Sequence, residues 1–422
     1  MDRPNNIPWY KQLHWQILMA LAAGSLVGVI GGKDVVPYVA WMGTLIIRML
    51  KMVIIPLVFS SIVSGVASVG SGRDLGRLFS KTLGYYLLSS LLAASAGLTL
   101  SNLIKPGDGA QFTAETQPFR PDTPDSAVDL LLDIVPENIV AASAAPEMLQ
   151  VIFFCILFGL SIAVLPDKHR LPLQSFIESF FQAMMKMTGL VIKILPIGVF
   201  GLIVRVVGET GFSTFKNLGL YMLTIASGLA FHFFITLPIL LFLLARIKPA
   251  VHYRNMADVM LMAFSTSSSA ATLPLTMNAV ENKVGVSNRT SSFVLPMGAT
   301  VNMDGTALYE CAGVLFIAQA LGADLSIGQQ LIVVLTALLA SIGAAAVPSA
   351  GLVVIFICLD AVNLRGPEVE AIVGAMLAID RPLDMARTMV NVMSDSCGAA
   401  IIARSEGEEG VDVENVAAAE GD

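Results

Sequence analysis

The chain has 422 residues, of which 55% are hydrophobic and 14% are charged. A soluble domain carries roughly 25% charged residues, so the composition excludes an ordinary soluble domain and predicts an all-α polytopic membrane protein. The net charge of −7 is concentrated in an acidic segment after Arg404, which argues against a nucleic-acid partner. The four cysteines are scattered, and no nucleotide-binding or zinc motif occurs.

Apolar stretches predict membrane-spanning helices along the first part of the chain. The amino-terminal 16 residues lack a signal-peptide cleavage pattern and contain three aromatic residues, which suits a helix at the headgroup level. A fourth stretch is divided by Pro136, Pro146 and Pro166, which predicts several helical pieces. The other stretches occupy residues 16–30, 36–69, 78–104, 173–207 and 218–244, a long polar loop follows residue 104, and residues 405–422 are predicted to be a disordered tail.

Basic residues predict the orientation. If each helix crosses once, three of the basic loops fall on the side of the amino terminus, which the positive-inside rule assigns to the cytoplasm. Both termini of this multi-pass protein of the cell (inner) membrane are then cytoplasmic. These loops hold Arg73, Arg77 and Lys81, then Lys168 and Arg170, then Arg246, Lys248 and Arg254.

The last 170 residues or so break the rhythm of helix and loop. Residues 263–277 and 340–355 each place small residues and a proline between short apolar arms, which predicts two re-entrant hairpins. Between them, residues 291–320 could span a bilayer but are interrupted by the polar residues of 302–306, which predicts a discontinuous helix. Such internal symmetry is typical of secondary transporters with a site near the bilayer midplane. Close packing of small residues explains the hairpin serines and alanines, but it does not explain Asp304.

A polar stripe follows in the last apolar segment. Asp380, Asp384, Arg387, Asn391 and Asp395 are spaced by four, three, four and four residues, so they share one face of a helix. A charge at the bilayer centre costs roughly 2.5–3.5 kcal/mol, so these groups must face a partner, an ion or a water-filled cavity. A structural ion pair between Asp384 and Arg387 is the alternative, but it does not account for five polar residues in register.

Four motifs occur together in one order: STSSSAATLP from residue 265, NMDGT from 302, ASIGAAAVPSAG from 340 and DMARTMVNVMSD from 384. With them, nearly the whole chain resembles the glutamate/aspartate transporters, the dicarboxylate/amino acid:cation symporters that include the excitatory amino acid transporters. The resemblance implies a homotrimer of eight-helix subunits with two re-entrant hairpins, inverted repeats and an elevator mechanism. It assigns residues 1–77 and 105–207 to a scaffold, and 78–104 and 208–404 to a moving transport domain.

The resemblance also implies a site for L-aspartate or L-glutamate. Arg387, assisted by Thr306, would grip the side-chain carboxylate, which suits a planar guanidinium. Asp384, with Thr388 beside it, would hold the α-ammonium. The α-carboxylate would bind Asn391 and the hairpin serines Ser268 and Ser269, and the second hairpin would close over the ligand at Val347 and Gly351.

Three Na⁺ sites are implied by the same resemblance, and Na⁺ is the coupling ion it predicts. In the first, Asp395 is completed by backbone oxygens around Gly298, Asn302 and Asn391. In the second, Thr300 faces Ser341, Ile342 and Ala344 of the second hairpin. In the third, Tyr86, Ser89 and Ser90 join Asn302 and Asp304.

Three positions bear on how charge is balanced. Ser267 stands where archaeal members of the family carry an arginine, and Met385 stands where animal members carry one, so neither supplies a second positive charge. Glu310 resembles the glutamate that animal members use to carry a proton, which would couple the return of the empty carrier to K⁺. The alternative is a hydrogen-bonded glutamate with no part in transport.

Other classes of protein fit less well. An intramembrane aspartyl protease needs a GxGD-type break, which this sequence lacks. A channel would place rings of charge or carbonyl groups around a pore rather than an arginine and an aspartate on one helix. Among transporters, a proton-coupled glutamate/aspartate symporter or a C4-dicarboxylate symporter remains the alternative.

Overall fold

The computed structural model describes residues 13–67, 73–110, 135–144, 148–210, 213–342 and 351–412. Every regular element in these ranges is helical, which confirms the all-α prediction. Two π-helical turns lie at His232–Thr236 and Val280–Val284. The α-helices are α1 (Leu13–Ala67), α2 (Arg73–Ile104), α3 (Ile139–Ala144), α4 (Met148–Ala163), α5 (Asp167–Thr210), α6 (Ser213–Phe231), α7 (Leu237–Ala245), α8 (Pro249–Asn255), α9 (Ala257–Thr266), α10 (Ser269–Ala279), α11 (Asn288–Val301), α12 (Asp304–Ala320), α13 (Ile327–Ile342), α14 (Gly351–Asp360) and α15 (Pro367–Ser405).

Four helical segments are long and apolar enough to cross a membrane: Trp15–Ala67, Arg77–Ile104, Asp167–Gly208 and Asn217–Ala245. The first has 53 residues, more than twice the ~20 that a bilayer requires. The sequence predicted two helices there, whereas the structure joins them and breaks the helical geometry only at Gly32, with φ of 52° and ψ of −144°. Glycine adopts a positive φ without the clash that a Cβ would cause.

The predicted fourth helix is divided, whereas the predicted sixth helix is continuous but changes its hydrogen bonding. The fourth consists of α3 and α4, as the prolines predicted. The sixth changes to a π-helical turn between α6 and α7, where the N–H of Leu237 bonds to the carbonyl of His232. Pro238 follows and has no N–H to continue the regular ladder of hydrogen bonds. The turn sets His232 within the protein interior, where its side chain is buried.

The first predicted hairpin is two short helices, α9 and α10, of 10 and 11 residues. Ser267 ends α9 in the left-handed conformation, with φ of 50°. Ser268 then caps α10, because its Oγ accepts a hydrogen bond from the N–H of Ala271 at 3.2 Å. Each arm has about half the length that a bilayer crossing requires, so the arms are consistent with a re-entrant element.

The discontinuous helix is confirmed, but its break is narrower than predicted. Only Asn302 and Met303, between α11 and α12, depart from helical backbone angles. Asp304, Gly305 and Thr306 form the first turn of α12. This turn leaves N–H groups without helical partners and carries the positive end of the helix dipole, so it is a favourable place for a carboxylate.

Helix α15 holds the entire polar stripe, and all five of its polar side chains are buried. It packs against α9, α11 and α12, which are an arm of the first hairpin and both halves of the broken helix. Helices α13 and α14 belong to the second predicted hairpin, but the segment between them, residues 343–350, lies outside the described residues.

The structure describes the segment after α15 as far as residue 412, within the tail that the sequence predicted to be disordered from residue 405. Residues 413–422 lie outside the described residues. Glu406 forms salt bridges with Arg77 at 2.7 Å and Lys81 at 2.5 Å. Val411 is fully buried, and Asp412 lies 2.6 Å from Nδ1 of His252. These contacts are long-range in sequence, so composition alone could not reveal them.

Candidate functional site

Arg387 lies at the centre of the polar stripe and is almost completely buried. Its Nη2 donates to Oδ1 of Asp384 at 2.7 Å and lies 3.5 Å from Oδ1 of Asp380. Its guanidinium carbon stacks 4.0 Å from the centre of the Tyr309 ring. Within the described residues, Nε and Nη1 have no hydrogen-bond partner. Buried donors left unpaired are costly, so this guanidinium is suited to receive an acceptor from a ligand.

Asp384 is held by two arginines rather than one. Besides the bond from Arg387, its Oδ2 accepts from Nη1 of Arg381 at 3.2 Å. The structural ion pair considered as an alternative therefore exists, within a cluster of two acids and two arginines. The family resemblance pointed to positions 267 and 385 for a second positive charge, whereas Arg381 supplies it. The signal was available, because position 381 lies three residues before Asp384 and so on the same helix face.

Helix α14 approaches Arg387 through its first residue, Gly351. A Cβ at this position would lie 2.5 Å from Nη1 of Arg387, so a larger residue would require the guanidinium to shift. Gly351, which was predicted to close over a ligand, therefore lies beside the guanidinium. Val347 lies outside the described residues.

Asn391 joins the stripe to the broken helix. Its Oδ1 accepts from the N–H of Gly305 at 2.8 Å, and its Nδ2 donates to Oγ1 of Thr306 at 3.4 Å. Thr306 is therefore next to the stripe, as expected. Thr388 instead uses its hydroxyl to bond the backbone carbonyl of Asp384 at 2.9 Å.

The first hairpin contributes buried hydroxyl groups. Ser268 holds its capping position at the start of α10, and Ser269 is buried in the first turn of that helix. The Oγ of Ser267 is also buried and has no hydrogen-bond partner within the described residues. Since α9 and α10 both pack against α15, these serines lie on the elements that enclose the stripe.

Asp395 forms one of two buried carboxylate centres. Its Oδ1 accepts from Nδ2 of Asn302 at 2.9 Å. A Cβ at Gly298 would lie 2.5 Å from that oxygen and 2.6 Å from the hydroxyl of Tyr86, so glycine preserves a small space between two oxygens. Tyr86 was expected beside Ser89 and Ser90, but its hydroxyl donates to the carbonyl of Val294 at 2.8 Å. Its longer side chain reaches past the serines of its own helix face.

Asp304 forms the second carboxylate centre. Its Oδ1 accepts from Ser90 at 2.6 Å, and its Oδ2 accepts from Ser89. Nε2 of His232 lies 2.9 Å from Oδ2. The two serines were predicted beside Asp304, but His232 was not. A lone histidine within an apolar helix was the available signal of a buried polar partner.

The two carboxylate centres are connected. Nδ2 of Asn302 also donates to Oγ of Ser394 at 3.0 Å, and that hydroxyl lies 3.2 Å from Oγ of Ser89. Oδ1 of Asn302 is buried and unpaired within the described residues. The region therefore offers two acids and an unused carbonyl oxygen, and a hard cation such as Na⁺ binds oxygen ligands of this kind.

The second predicted Na⁺ site and the predicted proton carrier Glu310 remain to be placed. Thr300 and Ser341 donate to carbonyl oxygens three residues earlier in their own helices, at 3.0 and 2.9 Å. Ile342 is the last residue of α13, and Ala344 lies outside the described residues. Glu310 is fully buried on α12, where its Oε2 lies 3.6 Å from Sγ of Cys358 and its Oε1 has no partner within the described residues.

A buried guanidinium whose Nε and Nη1 are unpaired within the described residues, in an apolar bundle with a broken helix, is typical of membrane transporters of charged solutes. The chain belongs to the sodium:dicarboxylate symporter family, whose profile matches residues 13–405. It is therefore a multi-pass membrane symporter and not an enzyme.

Named relatives align with nearly the whole chain. Excitatory amino acid transporter 3 of Mus musculus is 36% identical over 94% of this chain and 86% of its own. The proton/glutamate-aspartate symporter of Escherichia coli (strain K12) is 35% identical over 93% of each chain. The proton/sodium-glutamate symport protein of Bacillus caldotenax is 34% identical over 94% of this chain and 95% of its own.

Proposed function

We propose that the protein imports aspartate or glutamate together with Na⁺. The observation that carries this proposal is Arg387, whose Nε and Nη1 are buried and unpaired within the described residues while its Nη2 engages Asp384. An acidic amino acid supplies a carboxylate for the guanidinium and an ammonium for Asp384. The relatives named for glutamate or aspartate support the same substrate class.

Substrate binding exchanges partners within the stripe. The incoming side-chain carboxylate takes the guanidinium of Arg387 and so releases Oδ1 of Asp384 for the ammonium. Asn391 and the serines 268 and 269 receive the α-carboxylate, and the second hairpin closes near Gly351. Each buried charge then has a partner, which is required for a charged solute to cross an apolar bundle.

Na⁺ is the coupling ion of this proposal. Asp395 with Asn302, and Asp304 with Ser89 and Ser90, provide buried oxygens from three helices and from the break between α11 and α12. The family description and the Bacillus caldotenax relative both name sodium. Ion binding that aligns these segments would favour the substrate-binding arrangement of Asn391, so ion and substrate would raise each other's affinity.

Transport proceeds by an elevator motion in a homotrimer of the cell membrane, with both termini in the cytoplasm. Residues 78–104 and 208–404 move against a scaffold of residues 1–77 and 105–207. Lys51 and Glu370 lie on opposite sides of this division and are 2.7 Å apart, so their salt bridge must break during movement.

A second candidate is a proton-coupled symporter of glutamate, aspartate or C4-dicarboxylates. Glu310 favours it, since this buried carboxyl group has one unpaired oxygen within the described residues and could carry a proton. The Escherichia coli relative is named for proton coupling.

Uptake into proteoliposomes tests both candidates. Labelled aspartate, glutamate, succinate and serine are supplied with Na⁺, H⁺ and K⁺ gradients imposed one at a time. We expect aspartate or glutamate to accumulate under an inward Na⁺ gradient, and serine to be excluded. Accumulation that follows only the proton gradient would reject Na⁺ coupling, and accumulation of succinate alone would reject the amino acid assignment.

A further inference from the structure

Arg381 lies one helical turn before Asp384 and is directed at the proposed ammonium-binding carboxylate. Its side chain is largely buried, and its Nη1 lies 3.2 Å from Oδ2 of Asp384. Its Nε has no hydrogen-bond partner within the described residues. The residue was not among those predicted to bind substrate or ions.

The two arginines on Asp384 differ in what a substrate does to them. Arg387 can leave Asp384 when an incoming carboxylate replaces that partner. The proposed binding mode provides no second carboxylate for Arg381, so Arg381 stays on Oδ2 while the ammonium binds at Oδ1. Two positive groups then share one carboxylate, and their repulsion is strong because the site is shielded from water.

The net charge of the two acids and two arginines, before substrate binds, also indicates that Arg381 weakens the attraction for an ammonium. Asp380 and Asp384 are balanced by Arg381 and Arg387, so the four groups sum to zero. Without Arg381 the cluster would carry one net negative charge and would attract an ammonium more strongly. With Arg381, a dicarboxylate that lacks an ammonium meets less repulsion from Asp384.

We propose that Arg381 determines specificity by competing with the substrate ammonium for Asp384, which shifts preference from acidic amino acids toward dicarboxylates that lack an ammonium. This inference rests on the proposed function of Asp384 and Arg387. Arg381 acts through Asp384 and is therefore a positioning residue. Its effect is therefore measured as the ratio of the affinities for a dicarboxylate and for an acidic amino acid, rather than as either affinity alone.

The test measures aspartate and succinate binding to the full-length protein in saturating Na⁺, for the wild type, Arg381→Gln and Arg381→Lys. We expect Arg381→Gln to raise the ratio of the succinate Kd to the aspartate Kd by about tenfold. Arg381→Lys keeps the charge and should leave the ratio near that of the wild type. Arg381→Met retains an apolar stem without charge and serves if the glutamine variant does not fold.

An unchanged ratio, with both ligands weakened equally in Arg381→Gln, would reduce Arg381 to a structural counter-ion and overturn the proposal. A ratio that rises equally in Arg381→Lys would also overturn it, because charge would not be the cause. If the folded wild type binds neither ligand, the proposed function itself fails, and this result is distinct from a wild type that binds aspartate with no effect of Arg381.

Discussion

Nε2 of His232 lies 2.9 Å from Oδ2 of Asp304, and both side chains are completely buried. An ionised carboxylate can only accept hydrogen bonds, so Nε2 carries the hydrogen in this contact. With Ser89 and Ser90, the imidazole supplies the third donor to Asp304. The carboxylate has about four acceptor positions, so few remain for a cation while all three donors are in place.

His232→Phe should lower stability and raise the apparent Na⁺ affinity, because it removes one donor from Asp304 and frees an acceptor position. The expected loss of stability is about 1–3 kcal/mol. Thermal unfolding in detergent and the Na⁺ dependence of aspartate binding measure the two effects. His232→Gln retains an N–H donor and is the matched control, so a glutamine variant that behaves like the phenylalanine variant would argue against this role.

Arg387→Cys should abolish aspartate binding, since it removes the partner of a substrate carboxylate. Asp384→Asn removes the partner of the ammonium and is measured beside it. Removing one partner of a buried ion pair usually costs about 3–5 kcal/mol. We expect Asp384→Asn to weaken aspartate more than succinate, because succinate has no ammonium. Binding measured with labelled ligands checks both, and an unchanged aspartate Kd in Arg387→Cys would contradict the assignment of the guanidinium.

Glu310→Gln should leave aspartate and Na⁺ binding nearly intact while it removes the response of net uptake to pH and internal K⁺. Glutamine has a similar shape but cannot carry a transported proton. Exchange of internal for external aspartate should survive, because exchange does not require return of the empty carrier. Uptake and exchange in proteoliposomes separate the two steps, and net uptake with the wild-type pH and K⁺ response would eliminate Glu310 as the carrier.

Lys51→Gln should change the rate of transport more than the stability. The salt bridge with Glu370 is partly exposed, with 45% and 33% of the side chains accessible, so its contribution is about 0–1 kcal/mol. We expect faster exchange if the break of this bridge limits the motion, as measured by the rate of aspartate exchange. The charge-swapped double variant, Lys51→Glu with Glu370→Lys, should restore the slower exchange of the wild type. Fast exchange in this variant would show that the salt bridge does not limit the motion.

Glu408 should stabilise the protein more at neutral pH than in acid. Burial opposes its ionisation, but hydrogen bonds from Ser287 and Thr290 outweigh burial and hold the pKa of Glu408 below its usual value. A lowered folded pKa means that the contribution is present above the unfolded pKa, about 4.3 for glutamate, and is lost as the pH falls through the folded pKa.

The difference in Tm between the wild type and Glu408→Gln should therefore be largest near pH 7 and should narrow as the pH falls below the ordinary range of glutamate. Glu409→Gln, one residue further on an exposed side chain, is the matched control. A difference that stays constant across this pH range would mean that Glu408 stabilises the segment by packing rather than by its charge.

Much of the site could be predicted from sequence because it depends on local patterns of residue spacing and polarity. The spacing of the stripe from Asp380 to Asp395 gave one helix face, and α15 contains it unbroken. The polar residues after Val301 predicted the broken helix. The break proved to be two residues, because Asp304 to Thr306 can begin a helix and local composition does not reveal where the backbone turns.

The sequence by itself determined the class of protein, because hydrophobicity, helical period and isolated buried charges are local properties of the chain. Only the tertiary structure decided which partner each charge has. His232 and Asp304 are 72 residues apart, and Asn302 and Asp395 are 93 residues apart, so no periodicity connects them. A distant partner also fixes the segment after Ser405, since Asp412 contacts His252, 160 residues earlier in the chain. Burial makes such pairing necessary, but it is the packing of distant helices that selects the partner.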